Sequence, residues 1–219
     1  MTRRLLSAEM QQIERQLRLI AIFDAAEEVG LCPVDVRSLH TLAYLADALA
    51  PVWHLPILDG QVLKRRTYPF FPALQHDLDL LVGSGVVQVA SFAYEEDRED
   101  GWRLSADYFL NRSFADRIIR EVYQHNLTER NHSFVREVVY AASAIGVEGI
   151  EQVGFADAAY SNPVVDIGDV VDIEGDRGVN ATAKTALRFK ALTREQTNLS
   201  DAETVHLYVR HLYSRMNVA

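Results

Sequence analysis

Cysteine is nearly missing from this chain: Cys32 stands alone in 219 residues. That excludes an internal disulfide and any zinc site built on several thiolates, and the single thiol is expected as a small buried or half-buried side chain. No apolar run approaches the ~20 residues that a membrane span requires. The opening MTRRLLSAEMQQ turns polar after two leucines and lacks the apolar stretch of a signal peptide. A cytoplasmic protein without membrane contact is the expectation. Asn-x-Ser/Thr triplets at Asn111, Asn126, Asn131, Asn180 and Asn198 then read as helix caps and turns rather than glycan sites.

Positive charge is scarce too. Twenty-two Lys and Arg face 31 Asp and Glu, a net charge of -9 and a pI near 5.2. A surface that grips nucleic acid everywhere needs clustered cations, so DNA contact is expected to be local or supplied by a partner. Catalytic signatures are absent as well: there is no Gly-rich phosphate loop, no nucleophile elbow and no HExxH. The histidines form no pair at helical i, i+4 spacing; His206 and His211 lie five apart and His125 and His132 seven. The expectation is a protein that is not an enzyme and takes no cofactor or metal.

Against these absences stand 48% hydrophobic and 24% charged residues with six prolines, the composition of an ordinary globular protein with enough apolar matter for a core. Residues 7–29 carry Met10, Ile13, Leu17, Ile20 and Phe23 at steps of three and four, one apolar stripe on a helix that Gly30 ends. That stripe reads as core rather than as a coiled-coil seam. Val34 to Ala50 reads as a second helix with Val36, Leu39, Leu42 or Ala43, Ala46 and Leu49 inward, stopped by Pro51. A connector with a short strand-like QVL leads to a helix over Pro72 to Val82. Leu74, Leu78, Leu81 and Val82 share its inner face, His76, Asp77 and Asp79 lie off it, and Gly83 and Gly85 supply left-handed exits. VVQVASFAY (86–94) and WRLSADYFL (102–110) read as paired strands around the polar turn EEDREDG.

Beyond residue 110 the chain reads as helical. Helices are expected over Ser113–His125, with Phe114, Ile118 and Val122 inward, and over Phe134–Ile145, with Val135, Val138, Val139 and Ala142 inward, broken at NLTERNH. A short helix near 149–160, a loop or extended segment YSNPVVDIGDVVDIEGDRGVN and a helix over Ala181–Leu192 follow. Ser200 and Glu203 form a capping-box start for a last helix with Val205, Tyr208, Val209, Leu212 and Met216 inward. The fold class expected is α+β, mostly α: a winged-helix core over residues 1–110, including the N-terminal helix, with a mainly helical region over 111–219 packing on it.

The residues bearing on function are few. Lys64, Arg65 and Arg66 form a basic run that suits phosphates or an acidic partner, or else a solvated edge strand protected by charge. Gln75 and His76 are the only base-reading types on helix 72–82, which has no Lys or Arg, and the acidic turn would be repelled by phosphates. Asp166, Asp169, Asp172, Glu174 and Asp176 miss the calcium-loop pattern and read as a solvated or partner-facing acidic segment, with weak magnesium binding at Asp172 and Glu174 as the alternative. His206, Arg210, His211 and Arg215 make a mildly basic face on the last helix, suited to an acidic partner, to nucleic acid or to the helix dipole.

Several stretches carry a resemblance when taken together. LHTLAYLADAL followed by YPFFPALQHDLDLLVGSGVV, then YSNPVVDIGDVVDIEGD and ALRFKAL, resembles the middle components of bacterial ABC-three-component systems, the Lamassu type of anti-phage operon. The likeness covers about residues 8–192 and supplies no catalytic residue. It implies a winged-helix accessory subunit in antiviral defence, one that bridges an SMC-like ABC ATPase and a nuclease-type effector of the same operon and meets DNA through the complex. The other reading of the same residues is a DNA-binding transcription regulator that uses helix 72–82 with Lys64, Arg65 and Arg66 on the backbone. A third is an enzyme using the 166–176 acids with a metal.

Overall fold

The computed structural model describes residues 8–97, 101–122, 126–175, 179–193 and 198–217. The chain adopts the α+β, mostly helical class expected of it, with small antiparallel sheets. Helix α1 (Ala8–Glu28) divides its apolar stripe in two. Leu19, Ile20, Ile22, Phe23, Ala25 and Ala26 are buried, whereas Met10 and Ile13 are 45% and 49% exposed. Only the second half of the stripe is core.

Strand β1 (Val34–Asp35) takes the first two residues expected of the second helix. Asp35 then caps α2 (Val36–Leu49), its Oδ1 accepting from the backbone N–H of Arg37 (2.8 Å) and Ser38 (3.0 Å). Every α2 residue except Arg37 is buried. A helix buried all round lies at the centre of a domain, and α2 touches helices from both halves of the chain. After a 3-10 turn (Ala50–Trp53), β2 (Gln61–Lys64) and β3 (Pro69–Phe70) lead to α3 (Pro72–Gly83). Leu74, Leu78 and Leu81 of α3 are buried as expected. Asp77 was expected off that face, yet it is fully buried, because Arg15 of α1 meets its carboxylate there. Gly83 is the last helical residue, and of the two expected left-handed glycines only Gly85 has a positive φ, +77°.

Strands β4 (Val87–Asp97) and β5 (Gly101–Leu110) form a hairpin, and β1 joins its far side, giving the order β1-β5-β4. The hairpin is longer than expected. Glu95, Glu96 and Asp97, read as part of the turn, continue the ladder opposite Arg103, Trp102 and Gly101; the rest of that turn, Arg98 to Asp100, lies outside the described residues.

Helices α4 (Arg112–Val122), α5 (Asn126–Ser143), α6 (Gly146–Ala156), α7 (Ala181–Thr193) and α8 (Asp201–Met216) make up the second half. Asn111 Oδ1 accepts from the Ser113 N–H and Asn180 Oδ1 from the Ala183 N–H, so both asparagines serve as caps. The capping box at Ser200 and Glu203 is present in full, as are the buried Val205, Tyr208, Val209 and Leu212. Two expectations fail. NLTERNH does not break a helix but forms the first two turns of α5, and Phe114, expected inward, is 56% exposed, while Ala115 takes the buried place. The expected end of α4 at His125 lies outside the described residues. Within the long segment after α6, β6 (Val170–Asp172) pairs with β2, giving a second sheet in the order β3-β2-β6. One hydrophobic core runs through both halves, from Leu19 and Phe23 to Tyr208 and Leu212.

Candidate functional site

The first two residues of the basic run before α3 are half-buried in the fold. Lys64 ends β2, the middle strand of its sheet, so the edge-strand reading of this run is corrected. Its ammonium donates to the carbonyl oxygens of Asn162 (2.9 Å) and Val165 (2.7 Å), tying the segment after α6 to the sheet. The Arg65 guanidinium lies 3.5 Å from the centre of the Phe70 ring and donates to the Tyr68 hydroxyl at 3.2 Å. Its backbone N–H donates to the Tyr160 hydroxyl, which donates in turn to the Arg65 carbonyl. Lys64 and Arg65 are thus engaged within the chain, and the Arg66 side chain is exposed.

Helix α3 offers no better grip on phosphate. His40 of α2 accepts from the Phe71 N–H through Nδ1 at 3.2 Å and lies 3.2 Å from Gln75 Oε1 through Nε2. Burial pushes the His40 imidazole down to about 4, so it stays neutral and fixes the entry to α3. Gln75 also donates to Asp79 at 3.0 Å, which commits it to local contacts. The exposed residues of α3 are Pro72, Ala73, His76, Asp79, Leu80 and Gly83, with no lysine or arginine among them.

The remaining expected site residues lie on the segment that pairs with β2 and on α8. Asp166, Asp169 and Asp172 are exposed and Glu174 is half-buried; Asp172 Oδ1 accepts from the Glu174 N–H. Asp176 lies outside the described residues. Among the described residues no three His, Cys, Asp or Glu side chains are grouped to hold a metal ion. On α8, Arg210 is exposed, Arg215 donates to the Ala156 carbonyl at 3.1 Å, His206 meets Glu137 at 2.9 Å, and His211 packs edge-on against Phe189. The acidic segment runs directly beside the basic run: the Lys64 N–H donates to the Asp169 carbonyl and the Gly168 N–H to the Lys64 carbonyl, both at 2.8 Å.

Two surfaces that sequence reasoning did not single out are more coherent. The first is a cleft of about 270 Å³ between the exposed half of α1 (Met10, Ile13, Leu17) and α4 (Ile118, Ile119, Val122), floored by Val135. The second is the inner face of the β4–β5 hairpin. Directly opposed residues of an antiparallel ladder point to the same side, so Val87 with Leu110, Val89 with Tyr108 and Phe92 with Ala106 share a face. A bulge between Val89 and Ser91 makes this possible, because without the extra residue Phe92 and Tyr94 would fall on the other side. Near the body this face is covered, Val87 being 1% and Leu110 3% exposed. Farther out the β4 side opens, with Val89 40% and Phe92 and Tyr94 71% exposed each, while Tyr108 and Ala106 opposite them on β5 stay buried at 9% and 7%. Beyond Phe109 the opposite face is mostly polar, with Ser91 donating to Asp107.

Two buried polar nodes tie α2 to its neighbours. Asp157, fully buried just after α6, accepts from the hydroxyls of Tyr44, Tyr208 (2.7 Å) and Thr182 (2.8 Å) and from the Ala159 N–H (2.9 Å). It joins α2, α7 and α8, and burial followed by the Asp157 charge pushes both tyrosine hydroxyls up. At the other end Arg18 pairs with Asp47, which also accepts from the N–H groups of Leu58 and Asp59. Burial raises Asp47 despite its arginine. Burial together with the Asp47 charge pushes Asp59 up to about 6.

No protein-family model matches the chain, and neither does any curated protein. No helix among the described residues is long and apolar enough to cross a membrane.

Proposed function

We propose that the chain is a non-catalytic adaptor, an accessory subunit that bridges an SMC-like ABC ATPase and a nuclease-type effector in anti-phage or anti-plasmid defence. The observation that carries the bridging role is the pair of separate apolar surfaces, the α1–α4 cleft and the outer part of the hairpin face. An adaptor needs two such surfaces on one rigid body, and exposed apolar patches of this kind mark protein contacts. The strand order β1-β5-β4, with β1 between α1 and α2 and the hairpin after α3, supports a winged-helix reading of residues 8–110. The likeness of LHTLAYLADAL, YPFFPALQHDLDLLVGSGVV and YSNPVVDIGDVVDIEGD to the middle components of Lamassu-type operons supports the choice of partners.

The regulator alternative draws less support. A DNA reader would present cations on α3 or just before it, whereas α3 has none and Lys64 and Arg65 are engaged within the fold. The test is co-expression of the tagged chain with the products of adjacent genes. Recovery of a defined complex with an ATPase supports the adaptor role. A chain that elutes alone from every co-expression contradicts it.

A further inference from the structure

We infer that the groove between α7 and the 3-10 turn that follows α2 is the docking surface for an acidic amphipathic segment of a partner protein. The groove, of about 550 Å³, runs between Pro51 and Ile57 on one side and Val179 and Leu187 on the other, with Lys184 and Arg188 of α7 also lining it. It shares no residue with the α1–α4 cleft or the hairpin face, so it stands beside the adaptor reading rather than on it. Val179 is 49% and Leu187 40% exposed. A helix that only needed to pack on the core would carry polar side chains at such positions, and apolar residues left open together mark a protein contact.

Charge selects the occupant. Helix α7 carries Lys184, Arg188 and Lys190 and no acidic residue, in a chain whose net charge is -9. Lys190 donates to Asp201 of α8 at 2.7 Å. Lys184 and Arg188 are exposed, and neither has an ion-pair partner among the described residues. Standing four residues apart they share one helix face, where like charges repel. Lys184 lies in the first turn, the end at which the helix dipole disfavours a cation, so the dipole does not account for it. Among the described residues lining the groove Glu174 is the one acid, and it is half-buried with its side chain against Gly60. An apolar strip flanked by two unpaired cations matches a helix that sets carboxylates at the same four-residue spacing beside a row of large apolar side chains. A cationic peptide would be repelled there. A phosphate backbone could meet the two cations but would leave Val179 and Leu187 without an apolar partner.

The test uses the full chain and labelled synthetic peptides, read by fluorescence anisotropy. The probe is an amphipathic leucine–glutamate peptide of about 14 residues; the controls are its leucine–lysine counterpart and a glutamate–serine peptide without an apolar face. The leucine–glutamate peptide is expected to bind wild type and to lose about 10-fold or more in affinity to Lys184→Gln/Arg188→Gln and, separately, to Leu187→Ser. It should bind Phe92→Ser/Tyr94→Ser, altered on the hairpin, as it binds wild type. The three substituted residues of α7 are exposed, so each α7 variant should melt within about 2 °C of wild type. Equal binding by wild type and either α7 variant, no binding by wild type, or equal binding of either control peptide overturns the inference. So does a concentration-dependent dimer, or binding to a DNA duplex or to anionic lipid vesicles, that Lys184→Gln/Arg188→Gln abolishes, since each puts another occupant in the groove.

Discussion

Single residues here do more to hold the fold than to offer chemistry. Asp157 satisfies three hydroxyls and a backbone N–H in a site with no water contact. Asp157→Ala would leave those donors buried and unpaired, and a loss of about 3 kcal/mol or more is expected in urea unfolding. Cys32 is half-buried, and burial followed by the Glu27 charge pushes its thiol up to about 11. It should therefore react slowly with iodoacetamide at neutral pH in the native protein and rapidly once unfolded. Asp59 and His40 set opposite pH dependences. The folded Asp59 carboxyl titrates near 6, above its ordinary 3.8, so its contribution to stability is complete below 3.8 and lost as pH rises through 6. His40 is lowered from 6.5 to about 4, so its contribution is complete above 6.5 and lost as pH falls through 4. Asp59→Asn is expected to gain about 1 kcal/mol or more on wild type between pH 4 and pH 7, measured by urea titration at each pH.

At the level of elements, what periodicity and caps could reveal was largely legible. The buried runs of α2, α3 and α8, the Ser200 capping box and the hairpin follow from local rules that tertiary packing did not override. Removing that cap with Ser200→Ala should cost about 1 kcal/mol. The failures share a cause: a polar residue paid off by something distant in sequence. Asp77 was placed outward because only Arg15, 62 residues away, makes its burial tolerable. NLTERNH looked like a break because it is polar, yet Asn131 and His132 line the α1–α4 cleft from within α5. Lys64 read as part of an exposed run because nothing local announces the Val165 carbonyl, 101 residues on, as its partner. Arg65→Glu should lower stability, through loss of the contacts to Phe70 and Tyr68, instead of abolishing a phosphate grip. The hairpin face was missed for a different reason. Its alternation is interrupted at Ala90, and a strict two-residue count puts Phe92 and Tyr94 on the wrong side until the bulge is known.

For the whole molecule, the account rests on two apolar surfaces carried by one continuous core, in a chain of net charge -9. That combination predicts weak, nonspecific DNA contact at most, so titration of a DNA duplex at low salt should stay flat. The most direct test of the adaptor role is light scattering after gel filtration of the chain co-expressed with the products of adjacent genes, the proposed ATPase and effector among them. The account predicts a defined ternary complex in which the ATPase and effector associate only when this chain is present. An ATPase–effector complex that forms equally well without it would contradict the account, as would a chain that remains alone beside both.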